Sequence, residues 1–324
     1  MSDNDNFKAG FVSIIGKPNV GKSSLMNAFL DQKLSIITSK PQTTRQNILG
    51  ILTGKDHQIV FIDTPGFLKP RYLLHEKMQK SILNSLKDAD IIIFISDIAT
   101  FPTEYDNQVC ELIQKLPLRD KEHREKIKFK KPTLYLGSSV VNQQHNIPKI
   151  AVINKIDLAN ENAIKKANIV LNNFEFDKHF FISVRDGINI SNLKNGIINL
   201  LPNHHSYFPE DDISTHTTRF FAQEIIREKI MQNLKQELPY SAAVTIEQFS
   251  ESQDKADIYA NIYVETNSQK KIIIGSGGEV IKKIRQVAER DIHYLINKKV
   301  KLHLWIKVRK NWRKKERILK EFGY

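Results

Sequence analysis

The eight residues Gly16, Lys17, Pro18, Asn19, Val20, Gly21, Lys22 and Ser23 constrain this chain more than any other stretch. They match the phosphate-binding pattern G-x-x-x-x-G-K-[ST] at every position. The apolar run Phe11–Ile15 before them reads as a buried strand, and Ser24–Leu30 after them reads as a helix. That is the strand–loop–helix setting the pattern needs. Backbone N–H groups from Gly16 through Ser24 would turn inward around a phosphate, and the helix N-terminus would add its partial positive charge. Lys22 would reach the terminal phosphates and Ser23 would hold a magnesium ion. A glycine-rich turn before a helix is the plain alternative, and the flanking elements disfavour it. The loop by itself names neither the nucleotide nor the reaction.

Around the loop, apolar strands alternate with helical patterns as far as residue 200. Strands are expected at Phe11–Ile15, Ile48–Thr53, Gln58–Ile62, Ile91–Ser96, Ile150–Ile153 and His179–Ile182, with helices between them. This rhythm predicts an α/β domain over 1–200, with a mostly parallel six-stranded sheet and helices on both faces. The segment Arg119–Ile147 has no clear period and interrupts the pattern as an insertion. Residues 201–218, with Pro202, Pro209, three histidines and three consecutive acidic residues, read as a linker. From 219 to 324 the order becomes helix, strand, strand, helix, helix, strand, closed by a basic helix over Trp312–Phe322. Lys270–Ile274 reads as one short helical turn. This half predicts an α+β domain with a three-stranded sheet. Trp305 is expected in the core by its strand position. Trp312 is expected either to stack on RNA or to pack the last helix.

Charge separates the two halves further. The chain carries a formal charge of +13, and Lys270–Tyr324 alone holds 17 Lys/Arg against 5 Asp/Glu, a net of +12. Positive charge gathered at one end implies a polyanionic partner. The single cysteine, Cys110, precludes an intramolecular disulfide and fits a reducing compartment. No stretch reads as a signal peptide or a membrane span. The ten histidines show no metal-ligand spacing.

Three further motifs follow the phosphate loop in order. Asp63-Thr64-Pro65-Gly66 ends a strand, where a carboxylate can hold magnesium through water and the N–H of Gly66 can approach a γ-phosphate. Asn154-Lys155-Ile156-Asp157 follows another strand. Asp157 only accepts hydrogen bonds, and guanine offers N1–H and a 2-amino group on one edge, whereas adenine offers neither. Asn154 would tether the phosphate loop, and the stem of Lys155 would cover the base. Ser183-Val184-Arg185, after the last strand, would place a backbone N–H against guanine O6. Between the first helix and second strand, Thr44, or alternatively Thr43, would bring a hydroxyl to magnesium and an N–H to the γ-phosphate. Lys22, Thr44, Asp63 and Gly66 are thus the catalytic candidates, and Ser23, Thr44 and Asp63 the magnesium ligands.

Taken in this order, the segments resemble the translation-factor-like branch of P-loop GTPases. Phe67 stands where many such enzymes carry a water-orienting Gln, so hydrolysis is expected to depend on another group. Asn19 is similar to the Asn of potassium-stimulated relatives, which implies a bound K⁺. In the second half, Gly275-Ser276-Gly277-Gly278 between two helices looks like the GXXG loop of a KH domain, which clamps about four nucleotides. Lys271, Lys282, Lys283 and Arg285 would supply phosphate attraction, since Ser276-Gly277 lacks the basic residue often found inside that loop.

Longer stretches, including FAQEIIREK at 221–229 and LWIKVRKNWRKKERILKEFGY at 304–324, resemble the Era GTPases. The resemblance implies GTP/GDP and Mg²⁺ as ligands and a type II KH domain over 219–324. It further implies single-stranded RNA near the 3′ end of 16S rRNA as partner, and assistance to 30S subunit assembly. It also implies a mostly monomeric cytoplasmic protein with peripheral contact to the inner face of the cell membrane. A hydrolytically weak RNA-binding scaffold and a tRNA-modification GTPase are the rival readings.

Overall fold

The computed structural model describes residues 6–116 and 146–324. The expected insertion Arg119–Ile147 lies outside them apart from Asn146 and Ile147.

Strands β1 (Lys8–Ile15), β4 (Ile91–Asp97) and β5 (Lys149–Asn154) are nearly continuous apolar runs, and they are buried along almost their whole length. Runs of that kind suit parallel strands covered on both faces. With β2 (Ile48–Thr53), β3 (His57–Asp63) and β6 (Lys178–Phe181) they form a six-stranded sheet in the order β2-β3-β1-β4-β5-β6, in which only β2 runs antiparallel. Helices α1 (Lys22–Leu30) and α5 (Ile190–Leu200) cover one face through Leu25, Met26, Leu193 and Ile197. Helices α2 (Leu73–Asp88), α3 (Glu104–Gln114) and α4 (Glu161–Leu171) cover the other through Ile82, Leu86, Val109, Ile113 and Leu171. Strand order reverses at β1, which has β3 on one side and β4 on the other. Ligands of open α/β sheets bind at the carboxyl ends of strands where the order reverses. The phosphate loop leaves β1 at that point.

Residues 201–218 are strapped to the sheet rather than left as a free linker. Ala9 N donates to Pro202 O at 3.1 Å, Ile51 N to Ile213 O at 2.9 Å, and the Tyr207 ring lies 4.8 Å from Phe11. Gln58 fixes the strap from both ends of its amide, accepting from Tyr207 N at 2.7 Å and donating to Phe208 O at 2.8 Å.

The second domain comprises α6 (Thr218–Asn233), the short α7 (Leu238–Ser241), β7 (Ala243–Glu251), β8 (Lys255–Val264), α8 (Asn267–Ile274), α9 (Glu279–Ile296), β9 (Lys299–Val308) and α10 (Glu316–Glu321). Its sheet has the order β7-β8-β9, with β7 and β8 antiparallel and β8 and β9 parallel. Ile226 and Ile230 of α6, and Ile284, Ala288 and Ile292 of α9, pack on Ile258, Ile262 and Leu302 of the sheet.

Three local expectations are corrected. The turn expected at Lys270–Ile274 is the eight-residue helix α8, started by a reciprocal cap between Thr266 and Gln269. The basic helix expected over Trp312–Phe322 is a 3₁₀ turn, Trp312–Lys314, followed by α10, with Lys315 extended between them. Tertiary anchors hold that break: the Trp312 indole donates to Ser241 O at 2.8 Å, and Arg313 pairs with Glu265. Trp305, expected in the core, is instead 47% exposed, while Trp312 takes the packing alternative and is fully buried. Trp305 sits on the outward-facing positions of its strand, opposite the helices.

Candidate nucleotide site and nucleic-acid interface

Gly21 shows why the phosphate loop needs its glycine. Its φ is +104°, and a Cβ there would stand 2.3 Å from Asn154 Nδ2. That amide crosses the loop to donate to Val20 O at 2.8 Å, while Asn154 Oδ1 accepts from Val184 N at 3.1 Å. Asn154 therefore ties the phosphate loop to the Ser183–Arg185 turn. Lys17 fastens the other side of the loop, to Asp106 at 2.9 Å and Thr100 at 2.7 Å.

Ser23, Thr44 and Asp63 converge. Ser23 Oγ lies 2.6 Å from Asp63 Oδ2 and 3.0 Å from Thr44 Oγ1, and Thr44 Oγ1 is 3.3 Å from Asp63 Oδ2. Thr43 also lines this pocket, but its hydroxyl donates to Lys40 O at 2.7 Å and is not bonded to Ser23 or Asp63. Burial pushes the Asp63 carboxyl above its usual range, against the opposing pull of Ser23 and Lys22. Its second oxygen, Oδ1, is buried with no hydrogen-bond partner. Two hydroxyls and a carboxylate with a spare oxygen are the hard donors that Mg²⁺ takes. Lys22 caps the carbonyls of Gly16 at 3.1 Å and Lys17 at 2.8 Å, and burial lowers its pKa to about 8 despite the nearby Asp63. Anionic phosphates beside it would raise that pKa again.

Gly66 lies against Pro18 of the phosphate loop, and Phe67 N donates to Gly16 O at 3.0 Å. The Phe67 ring packs with the core cluster under α2 and α3. It does not supply a polar group to the pocket.

Asp157 accepts from Ser183 Oγ at 2.6 Å and pairs with Arg185 Nη2 at 2.9 Å. Its carboxylate thus sits between the two segments expected to bracket the base. Lys155 adopts φ +65° and pairs with Asp97 at 3.3 Å, which stretches its stem beside the pocket. Asn19 has φ +66° and donates its amide to Ser39 O at 2.8 Å.

The basic domain brings its expected residues together as well. Gly275, Ser276, Gly277 and Gly278 link α8 to α9, with positive φ at all three glycines. Nothing stands within 4 Å of where a Cβ would be at Gly277 or Gly278, so a backbone can approach closely there. Lys271, Lys282, Lys283 and Arg285 are all exposed around the loop.

Three comparisons with known proteins bear on the family and the fold. The family described as 50S ribosome-binding GTPase matches residues 11–130, and the KH domain family matches residues 237–313. GTPase Era of Clostridium botulinum (strain Okra / Type B1) is 38% identical, over 98% of this chain and 98% of its own. The chain belongs to the Era GTPase family. It is a GTPase built from a P-loop domain and a C-terminal KH domain. Era of Alkaliphilus metalliredigens is likewise 38% identical over 98% of this chain. A crystal structure of Era in complex with MgGDPNP and nucleotides 1506–1542 of 16S ribosomal RNA superposes with a TM-score of 0.85. It is 32% identical and covers 98% of this chain and 99% of that one. An Aquifex aeolicus Era variant bound to GDP and aluminium fluoride gives the same TM-score of 0.85 at 32% identity.

What the sequence did not reveal in this Era-family chain is how the site is joined to the KH domain. Arg45, next to Thr44, is 4% exposed. Its guanidinium donates to Ala242 O at 2.8 Å, Tyr240 O at 3.0 Å and Pro239 O at 3.4 Å. On the other flank, Arg227 of α6 donates to Thr43 O while paired with Glu224. Lys40 reaches Met231 O and Leu234 O, and Lys33 pairs with Glu228 at 2.8 Å. Behind them, Leu74 and Met78 of α2 pack with Tyr263, Trp312, Leu319 and Phe322. A cavity of about 350 Å³ in this seam, lined by Lys33, Glu228 and Asp291 among others, lacks the phosphate-binding loop and is separate from the nucleotide pocket.

His75 links the two segments that flank the γ-phosphate position. Its Nε2 lies 3.2 Å from Gln42 Oε1, its Nδ1 accepts from Arg71 N at 3.3 Å, and its ring lies 3.8 Å from Tyr72. Burial, helped by the charges of Arg313, Arg45 and Arg71, lowers its pKa to about 4. Between pH about 6.5 and 4 the unfolded chain therefore gains a proton that the folded chain refuses, so stability falls as pH falls through that window. The urea midpoint should decline from pH 7 to pH 5, and His75→Gln should remove part of that slope. An identical slope in the variant would show that His75 is not the group responsible.

Proposed function

We propose that this chain is a GTP-driven switch that binds the 3′ end of 16S ribosomal RNA through its KH domain and assists assembly of the 30S subunit. One observation carries the reading: Thr44, the residue placed to meet magnesium and the γ-phosphate, is fixed on both sides by KH-domain contacts through Arg45 and Arg227. The RNA-bound Era relative spans this chain from end to end, KH domain included. The GTPase family match stops at residue 130 and does not bear on which RNA the KH domain holds.

The residues divide the work. Asp157 and Asn154 hold guanine, with the Val184 N–H and the Lys155 stem beside it. Loop N–H groups and Lys22 stabilise charge developing on the phosphates. Ser23, Thr44 and Asp63 would hold Mg²⁺, which when bound neutralises the β- and γ-phosphate oxygens. Gly66 N–H reports the γ-phosphate. Asn19 Oδ1 remains available for K⁺ once its amide nitrogen is bonded to Ser39 O. Gly275–Gly278, with Lys271, Lys282, Lys283 and Arg285, clamp the RNA backbone. We assign 1–200 to the GTPase domain, 201–218 to the strap and 219–324 to RNA binding. The activity belongs in the cytoplasm, beside its RNA. We keep a peripheral membrane contact as part of the proposal; no helix among the described residues is long and apolar enough to cross a membrane.

The test is the affinity for an RNA of nucleotides 1506–1542. The chain loaded with a non-hydrolysable GTP analogue should differ from the GDP-loaded chain by about 5- to 150-fold, the usual range of coupling between sites. Equal affinities would overturn the switch. In the same preparation, phosphate release should be faster in K⁺ than in Na⁺, and equal rates would remove Asn19 as a potassium ligand.

A further inference from the structure

The outer face of the KH-domain sheet is covered only at one end. Residues Ile258, Ala260, Ile262 and Leu302 point into the core, so their odd-numbered neighbours on β8 and β9 point outward. Tyr263 is capped there by Phe322, with ring centroids 4.5 Å apart. Beyond that cap, three aromatic rings form a triangular cluster. Tyr259 and His303 face each other across the strands at 4.5 Å and 10°, and Trp305 lies 5.7 Å from Tyr259 and 6.0 Å from His303, nearly parallel to both. Of the cluster, the Trp305 ring is 47% exposed.

A tryptophan left 47% exposed keeps a large apolar ring face in water. Its surroundings point to a ligand. A groove of about 460 Å³ beside it is lined by Glu247, Gln248, Tyr259, Asn261, Trp305 and Lys307. Lys299, Lys301 and Lys307 project from the same face of β9 and are all exposed. Aromatic rings in register with lysines on an open sheet suit a single nucleic-acid strand, whose bases stack while its phosphates meet the charges. Glu247, which accepts from Asn261 Nδ2 at 2.5 Å, would repel a phosphate but can accept from a base amino group. β9 is the edge strand of the sheet and packs against α8, which leads into the Gly275–Gly278 loop. A strand clamped at that loop can therefore pass over the edge of β9 to the aromatic cluster.

We propose that Tyr259, His303 and Trp305 form a second single-stranded RNA subsite, which takes one or two bases beyond those held at the Gly275–Gly278 loop. The inference rests on the RNA-binding function proposed above and extends it. Trp305 and Trp312 make the test direct, because Trp312 is buried and bonded to Ser241. Adding the RNA of nucleotides 1506–1542 to the full chain should quench tryptophan emission, and Trp305→Phe should remove most of that quenching while keeping affinity within a few-fold. Trp305→Ala should weaken this RNA by about 5- to 150-fold, the range of one stacked base, yet leave a four-nucleotide RNA and basal GTP hydrolysis unchanged. Wild-type affinity in Trp305→Ala would overturn the subsite and leave the KH function standing. Failure of the wild type to bind any of these RNAs would instead overturn the RNA-binding reading itself. Emission that responds to intact 30S subunits but not to naked RNA would assign the surface to a protein and overturn the subsite.

Discussion

Asp157→Asn should turn the chain from GTP to XTP, with GTP affinity reduced on the order of 10³-fold or more. The carboxylate accepts from Ser183 Oγ at 2.6 Å and sits at the Arg185–Ser183 turn, so its position is set before any base arrives. Guanine presents two donors to it. An asparagine there must offer an N–H to one of them, which leaves a donor against a donor inside a pocket. Xanthine replaces the amino group by a carbonyl and restores the pair. The fold should tolerate the change, because the lost partner Arg185 is 67% exposed and such surface pairs contribute under about 1 kcal/mol. Nucleotide affinity for GTP, XTP and ATP checks this. Unchanged GTP preference would show that Asp157 does not read the base.

The separation between what the sequence revealed and what it hid follows the range of the interactions. The phosphate loop, Asp63 and Asn154–Asp157 are local: each is a few residues at a strand end, and the strand that places them is an apolar run that reads as buried on its own. The GXXG loop is local in the same sense. Thr44 was favoured with Thr43 kept as the alternative, because both hydroxyls stand in one polar loop; in the fold Thr44 is the one in contact with Ser23 and Asp63. Arg45 gave no signal. An arginine flanked by Thr44 and Gln46 reads as solvated, and its burial depends on carbonyls 194 to 197 residues away. The start of helix α8 was legible but was placed three residues late, since Thr266 and Gln269 have the spacing of a reciprocal cap. Trp305 was misjudged for a structural reason. On a sheet with only one face covered, a strand position does not say which face a residue takes, and Trp312 follows a strand closely enough to be pulled under α10.

Arg45→Ala should abolish the difference in RNA affinity between GTP-analogue and GDP forms while leaving GDP binding within a few-fold of wild type. The argument is one of linkage. Whatever free energy GTP contributes to docking the KH domain, docking contributes equally to GTP binding. That exchange needs an element both sites touch, and the segment 43–45 is such an element. Thr44 faces Ser23 and Asp63, Thr43 O accepts from Arg227, and Arg45 is bonded to three KH-domain carbonyls. GDP lacks the γ-phosphate that Thr44 is placed to meet, so its affinity should not depend on Arg45. Removing the guanidinium leaves those carbonyls without their donor and frees Thr44 from the seam. Arg45→Lys should recover only part of the coupling, because an ammonium is a point charge and cannot span the three carbonyls as the planar fork does. RNA affinity measured in both nucleotide states, for wild type and both variants, decides it. If Arg45→Ala keeps the full ratio, coupling runs instead through the packing of Leu74 and Met78 against Trp312 and Phe322, and the apolar seam becomes the element to cut.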